Sequence, residues 1–309
     1  MDPLVDSYLQ HGCLSAKDKI ISIFSTSLPF TINASKAATL YIKSLGEVNE
    51  VLPSSTVKIK PYSGVHPVVL KIKNYLNSLM YHDLVGAYVH GSAATQELIP
   101  YSDFDGLLII KDEVLKSPSR IKRLAVNLNK TADMMLELDP LQHHGWMLLA
   151  ESDLHHYDNS FFPLELFNYA SSLLDKGQEL TLLNDSSRSD YKTPFNKLIF
   201  TLQKKTSRPC PENLYEIKIL LSEFMLLPAL YIQAVEKKGI FKGESFSAAA
   251  KYFKGNEWAI MNDVSTIREK WNYKISVSPE MNARRFRKIP VLSKVFHTAA
   301  PSELKTTLN

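Results

Sequence analysis

Apolar and polar residues follow two periods along this chain, and the switches between them mark its organisation. From Val65 onward, Val69, Ile72, Tyr75, Leu76 and Leu79 recur at helical spacing. A short run from Val85 to Val89 then has the character of a strand and ends in His90-Gly91-Ser92. Residues 93–98 fit a turn of helix, which Pro100-Tyr101-Ser102 breaks. Asp103 to Ile110 reads as a second strand, with Leu107, Leu108, Ile109 and Ile110 as a buried apolar run. Ser117-Pro118-Ser119 starts a helix whose apolar face is Ile121, Leu124, Leu128, Met135 and Leu138. Asp139-Pro140 ends it, because the residue before a proline is pushed out of the helical region. Leu141 to Leu149 reads as a third strand.

Outside that stretch the pattern is mostly helical. Residues 1–60 mix helix-like segments with Ser and Thr, and Pro53-Ser54-Ser55 and Pro61-Tyr62-Ser63-Gly64 close them off. After about residue 160 the strand signal fades. Helical patterns occupy 163–176, 194–206, 212–238, 244–253 and 257–271, separated by Gly177, Pro209, Pro211, Gly239, Gly243 and Gly255. No repeat or low-complexity tract interrupts this order.

Composition narrows the class. With 309 residues, 45% of them hydrophobic and 22% charged, the chain can bury a large core and form two domains. The formal net charge of +4 permits a polyanionic partner without demanding one. Its two cysteines, Cys13 and Cys210, form no framework, which fits a reducing compartment. The N-terminus lacks the basic-then-apolar pattern of a signal peptide. The longest apolar stretch, near 219–235, is interrupted by Ser222, Glu223 and Pro228 and reads as too short and too polar to span a bilayer. The expectation is a cytoplasmic protein with no membrane partner.

The candidate chemistry lies where the strands end. Side chains alternate along a strand, so Asp103 and Asp105 leave it on the same face. Two carboxylates that close repel each other unless a cation sits between them, and Mg²⁺ is held by one or two carboxylates plus substrate phosphates. Gly91 lets the backbone approach a phosphate, and Ser92 adds a hydroxyl donor beside it. A lone Gly-Ser is usually a turn, and a lone Asp-x-Asp usually a solvated strand edge. A strand, a Gly-Ser, a short spacer and a strand-borne Asp-x-Asp are jointly much rarer.

Residues 85–110, Val-Gly-Ala-Tyr-Val-His-Gly-Ser followed by Ser-Asp-Phe-Asp-Gly-Leu-Leu-Ile-Ile, resemble the DNA polymerase β-like nucleotidyltransferase superfamily. Within it they are most similar to the minimal and aminoglycoside-type enzymes. The resemblance implies that Gly91 and Ser92 bind nucleotide phosphates and that Asp103 and Asp105 bind metal, Mg²⁺ or Mn²⁺, with an NTP as substrate. It also implies a helical C-terminal domain that helps hold the nucleotide or acceptor. There, Lys242 and Ser245 in Lys238-Gly239-Ile240-Phe241-Lys242-Gly243-Glu244-Ser245 are candidate phosphate contacts, set against an exposed loop with Ser245 as a helix N-cap.

The chain departs from the family at the third strand, which usually carries a third carboxylate. Here it reads Leu141-Gln142-His143-His144-Gly145-Trp146-Met147, with Asp139 before it and Glu151 after it. Either His143 or His144 stands in as metal ligand or base, or catalysis has weakened and the domain only binds nucleotide. Strand parity puts Gln142, His144 and Trp146 on one face, which favours His144. His155-His156 lacks a recognised metal-ligand spacing and reads as a surface turn. Arg284-Arg285-Phe286-Arg287-Lys288 is a basic cluster able to grip a nucleic-acid backbone, though such runs are more often solvated.

The expected fold class is an α/β (α+β) nucleotidyltransferase core with a mixed sheet, followed by a mostly helical C-terminal domain. Its divisions are a helical N-terminal extension at 1–62, the core at 63–160 and the helical domain at 161–309. The expected function is metal-dependent transfer of a nucleoside monophosphate from NTP to an acceptor hydroxyl, with release of pyrophosphate. The acceptor, whether small molecule, protein or RNA, is left open, and nucleic acid is a secondary partner. Two alternatives stand beside it: a nucleotide-binding or regulatory module without turnover, and an RNA-directed, tRNA-modifying, toxin-like enzyme.

Overall fold

The computed structural model describes residues 28–46, 52–184, 189–207, 214–253 and 258–272. In chain order, helix α1 (Leu28–Gly46) is followed by strands β1 (Ser54–Lys58) and β2 (Lys60–Pro61) and helix α2 (Pro67–Leu79). Next come β3 (Leu84–His90), the short α3 (Gly91–Thr95), β4 (Asp105–Ile110), α4 (Asp112–Leu115), α5 (Pro118–Leu138) and β5 (Met147–Ala150). Two 3-10 segments, Glu151–His156 and Leu164–Tyr169, lead to β6 (Ser171–Ser172) and β7 (Glu179–Leu183). Helices α6 (Lys192–Thr206), α7 (Leu214–Glu236), α8 (Lys242–Ala250) and α9 (Ala259–Glu269) complete the chain's described part.

A five-stranded mixed sheet in the order β2-β6-β3-β4-β5 forms the centre. Strand β3 runs antiparallel to both of its neighbours, β4 and β6, while β5 runs parallel to β4. Strand β4 is buried on both faces, and its two-residue period sorts it cleanly. Leu108 and Ile110 face one core with Val69, Ile72 and Leu76 of α2 and Leu124, Leu128 and Met135 of α5. Leu107 and Ile109 face a second core with Tyr88, Phe162, Phe167, Leu180 and Leu182. Of the stripe expected on α2, Val69, Ile72 and Leu76 are buried and Tyr75 half-buried, whereas Leu79, at the helix end, is exposed. Pro67 in its first turn costs no hydrogen bond, since that N–H has no partner within the helix. Helix α5 starts as expected, with Ser117 Oγ accepting from the Arg120 N–H at 3.5 Å, and stops at Asp139.

Four of the five helices expected after residue 160 form close to their expected limits. Helix α7 is the axis of this region, with α6, α8 and α9 packed on it. Leu214, Ile217, Leu221 and Met225 of α7 also cover Tyr101 and Leu141 from the turns beside the sheet, together with Val264 and Trp271.

Four expectations need correction. The sheets cross both expected domain boundaries: β1 and β2 come from the supposedly helical 1–62, and β6 and β7 from beyond 160. The helix expected at 163–176 is a 3-10 turn followed by β6, because the apolar residues there serve the sheet's second core. The third strand starts at Met147, not Leu141. Pro228 does not break the apolar stretch. It lies buried inside α7, which by length and composition alone is long and apolar enough to cross a membrane. Cys13, Cys210 and the basic cluster 284–288 lie outside the described residues.

The double-sided burial of β4 gives a direct test. Leu108→Ala is expected to cost about 2–5 kcal/mol of unfolding free energy, read from a urea titration, because its neighbours on both helices cannot collapse into the space.

Candidate active site

Strand β3 delivers the chain to the site with His90 opposite Asp105 in the antiparallel register. The next residue, Gly91, has φ of +64°, a conformation that L side chains rarely adopt. A Cβ at this position would also stand 2.4 Å from Asp105 Oδ2. Glycine is thus favoured twice, by the left-handed turn and by the carboxylate packed against it. Ser92 follows, half-buried in α3, and its carbonyl accepts the N–H groups of Gln96 and Glu97.

Strand β4 opens at Asp105 rather than at the expected Asp103, which precedes it in the irregular segment after the turn at Pro100 and Tyr101. Alternation along a strand therefore does not by itself place the two carboxylates together. Between them Phe104 is fully buried, its ring edge-on to Trp146 at 5.1 Å. The Phe104 backbone pairs with one side chain. Its N–H donates to Gln142 Oε1 at 2.8 Å, and its carbonyl accepts from Gln142 Nε2 at 2.9 Å. Gln142, itself buried, does with one amide what a strand's backbone would do, so the loop follows β4 before β5 begins. Gln142 Nε2 also donates to the carbonyl of His144 at 2.9 Å, which fixes the histidine loop.

Both histidines reach the aspartates. His144 Nε2 lies 3.0 Å from Asp103 Oδ2 and 3.2 Å from Asp105 Oδ1. His143 Nδ1 lies 3.5 Å from the same Asp103 oxygen, and the two rings meet edge-on at 4.8 Å. The parity argument that put them on opposite faces fails because 141–146 is a loop rather than a strand, so its side chains need not alternate. Among the described residues, Asp103, His143 and His144 form a group whose ligand atoms lie within 4.8 Å of one another.

The charges are interdependent. Burial works to raise the Asp103 carboxyl, but the hydrogen bond and charge of His144, with Lys218 and His143, hold it well below the usual range. Burial and Asp103's charge likewise oppose ionisation of Asp105, and His144 and His90 outweigh them. His144 loses some affinity for its proton through burial but gains far more from both carboxylates, so its pKa lies well above 6.5. Burial, then the charge of His144, pushes His143 down to about 4. Burial first, and then His144 and Lys242, lower His90 against the pull of Asp105. These charges favour a protonated His144 between the two carboxylates.

Sequence reasoning missed the support behind this cluster. Lys218 of α7 is fully buried, and its Nζ donates to Asp139 Oδ2 at 2.8 Å and to the Tyr101 carbonyl at 2.7 Å. Asp139 in turn accepts from the Leu141 N–H at 2.9 Å. Asp139, the acid just before the expected third strand, is thus a structural anchor. Burial raises its pKa against the opposing effect of Lys218. The visible signal was a lysine inside the most apolar helical stretch of the chain. Glu151, the acid after that strand, accepts from the Asp112 N–H at 3.3 Å.

The C-terminal candidates divide. Lys242 is exposed at the start of α8 and close enough for its charge to act on His90. Ser245 is buried, and its hydroxyl donates to the Lys242 carbonyl at 2.7 Å, so it faces inward. Nor is it the N-cap, because α8 already begins at Lys242 with Phe241 before it. His155 and His156 form a 3-10 turn away from the Asp–His group.

No protein-family description, curated protein or solved structure matches the chain.

Two outcomes follow from the site's electrostatics. Lys218→Ala leaves Asp139 buried and uncompensated, and should cost about 3–5 kcal/mol in a urea titration, whereas the paired change Lys218→Met/Asp139→Asn should cost less. The carboxylates' stabilising effect is lost as pH falls below 3.8 through their lowered values, and that of His144 is lost as pH rises from 6.5 through its raised value. In chelator-treated protein, the difference in thermal midpoint between wild type and His144→Gln should therefore be largest between those limits and shrink on either side.

Proposed function

We propose that the chain is a metal-dependent nucleotidyltransferase that moves a nucleoside monophosphate from an NTP to an acceptor hydroxyl and releases pyrophosphate. One observation carries the reading: Gly91, whose left-handed backbone favours glycine, is packed against the carboxylate of Asp105 in an Asp-x-Asp pair. Backbone open to phosphates and oxygens suited to a cation thus share one edge, which is what transfer between phosphates needs. The mixed sheet and the helical C-terminal region are compatible with this reading.

The donors present fit a divalent cation. Two carboxylates face one imidazole, and His143 Nδ1 is buried without a hydrogen-bond partner. Asp103 and Asp105 would hold the ion, with the histidine pair in place of the family's third carboxylate. Bound there, a divalent cation would neutralise the triphosphate and make the acceptor hydroxyl easier to deprotonate.

The chain's own residues have the remaining tasks. Gly91 gives the phosphates close access to the backbone, and Ser92 offers a hydroxyl beside it. Gln142, by clamping Phe104, keeps the two carboxylates and the histidine loop in one arrangement before substrate arrives. Lys242, exposed and close enough for its charge to act on His90, would offer a positive charge to the anionic triphosphate. Without a carboxylate in the third position, binding without turnover is the competing reading.

The decisive measurement is pyrophosphate release from each NTP with Mg²⁺ or Mn²⁺, in cell extract that supplies acceptors. The double variant Asp103→Ala/Asp105→Ala should lose on the order of 100-fold or more. Equal release by wild type and variant would sink the proposal. NTP binding by wild type with no release from any NTP would assign the fold to binding alone.

A further inference from the structure

Two of the four donors that converge beside β4 are nitrogens, and nitrogen donors change which cation a site prefers. The contacts among them are 3.0 Å from His144 Nε2 to Asp103 Oδ2, 3.5 Å from His143 Nδ1 to that oxygen, and 3.2 Å from His144 Nε2 to Asp105 Oδ1. An ion with bonds of about 2.0–2.1 Å in tetrahedral geometry sets its neighbouring ligand atoms about 3.4 Å apart. These contacts are therefore already close to ligand–ligand separations. His143 Nδ1 adds a second sign, since it is buried and makes no hydrogen bond beyond that 3.5 Å approach to a carboxylate, a condition folded proteins usually avoid.

We propose that Asp103, His143 and His144 form a site for a first-row transition-metal ion, of the Mn²⁺, Fe²⁺, Co²⁺ or Zn²⁺ class, in preference to Mg²⁺. Mg²⁺ is a hard ion that takes oxygen ligands in near-ideal octahedral geometry and keeps several of its waters. Imidazole suits the softer ions, and affinity for nitrogen donors rises along the series from Mn²⁺ towards Cu²⁺. Three protein ligands with an open position are the pattern of catalytic rather than structural metal sites. Asp105 lies beside the group, available to the same ion or to a substrate-borne cation. The burial of His143 and the double engagement of His144 make the nitrogens integral to the site. The proposal rests on the reading of this site as metal-dependent and specifies the ion, while the binding itself is tested without nucleotide.

The test uses the full chain, stripped with chelator and titrated with Co²⁺, whose visible absorption reports coordination number and nitrogen ligation. One equivalent should bind with the intense bands of a four- or five-coordinate ion. Zn²⁺ should displace it at comparable concentration, whereas about a 1,000-fold excess of Mg²⁺ should not. His143→Asn and His144→Asn should each weaken Co²⁺ binding by about 10- to 100-fold, with unchanged circular dichroism. His144→Asp replaces a nitrogen with an oxygen and should let Mg²⁺ compete, which an unfolded variant would not do. Displacement of Co²⁺ by comparable Mg²⁺, or Asn variants that bind Co²⁺ like wild type, would overturn the proposal. Pyrophosphate release separates the two readings. Histidine-dependent Co²⁺ binding with no release from any NTP leaves the metal site standing and removes the transferase. Mg²⁺-supported release untouched by the histidine variants does the reverse.

Discussion

The repulsion between two aspartates at the end of a buried strand is the constraint on which the rest of this site depends. Burial raises both the Asp103 and the Asp105 carboxyl, yet both are held low. The compensation comes from His144, placed between them, and from His143, His90 and Lys218 around them. Removing the counter-charges would leave two desolvated carboxylates within reach of the same imidazole position, an arrangement a folded core tolerates only with a cation or a proton between them. A proton on His144 and a divalent ion are thus two solutions to one electrostatic requirement.

That requirement determines the path of the chain from 139 to 146. A regular strand would send neighbouring side chains to opposite faces and bring one histidine at most to Asp103. The Gln142 amide replaces the strand's pairing, freeing the backbone to turn both imidazoles inward. Asp139 anchors the start of this loop and Tyr101 the turn before Asp103, and both are tied to one ammonium, that of Lys218. A buried ion pair adds little net stability compared with apolar packing. Its effect is on placement: one side chain of α7 fixes the two segments that carry all four donors.

The helical region is therefore part of how the site is held. Helix α7 packs its apolar face on Tyr101 and Leu141 and inserts its one buried cation behind the cluster. On the far side Lys242 presents an exposed charge near His90, while Ser245 is taken up by its own helix. Two positive charges flank an acidic centre, one buried and structural, one exposed and free to meet an anionic ligand. That division of labour fits a reaction governed by positioning and charge neutralisation.

The sequence by itself determined what is local. The helix of 117–139 was readable from Ser117-Pro118 at one end and Asp139-Pro140 at the other, and α6 to α9 from their apolar spacing, because capping and the 3.6-residue period act within a turn or two. The Gly-Ser after β3 and the Asp-x-Asp that runs into β4 were readable for the same reason. Tertiary structure alone decided the contacts between residues far apart in sequence. The pairing of β1 and β2 with β7 and β6 rests on segments of two to five residues, too short to show a period. The meeting of His143 with His144 at Asp103 depends on a glutamine standing in for a strand. The inward turn of Ser245 and the burial of Lys218 against Asp139 depend on how α7 and α8 pack, and a pattern of single residues carries no record of which distant partner will satisfy a buried charge.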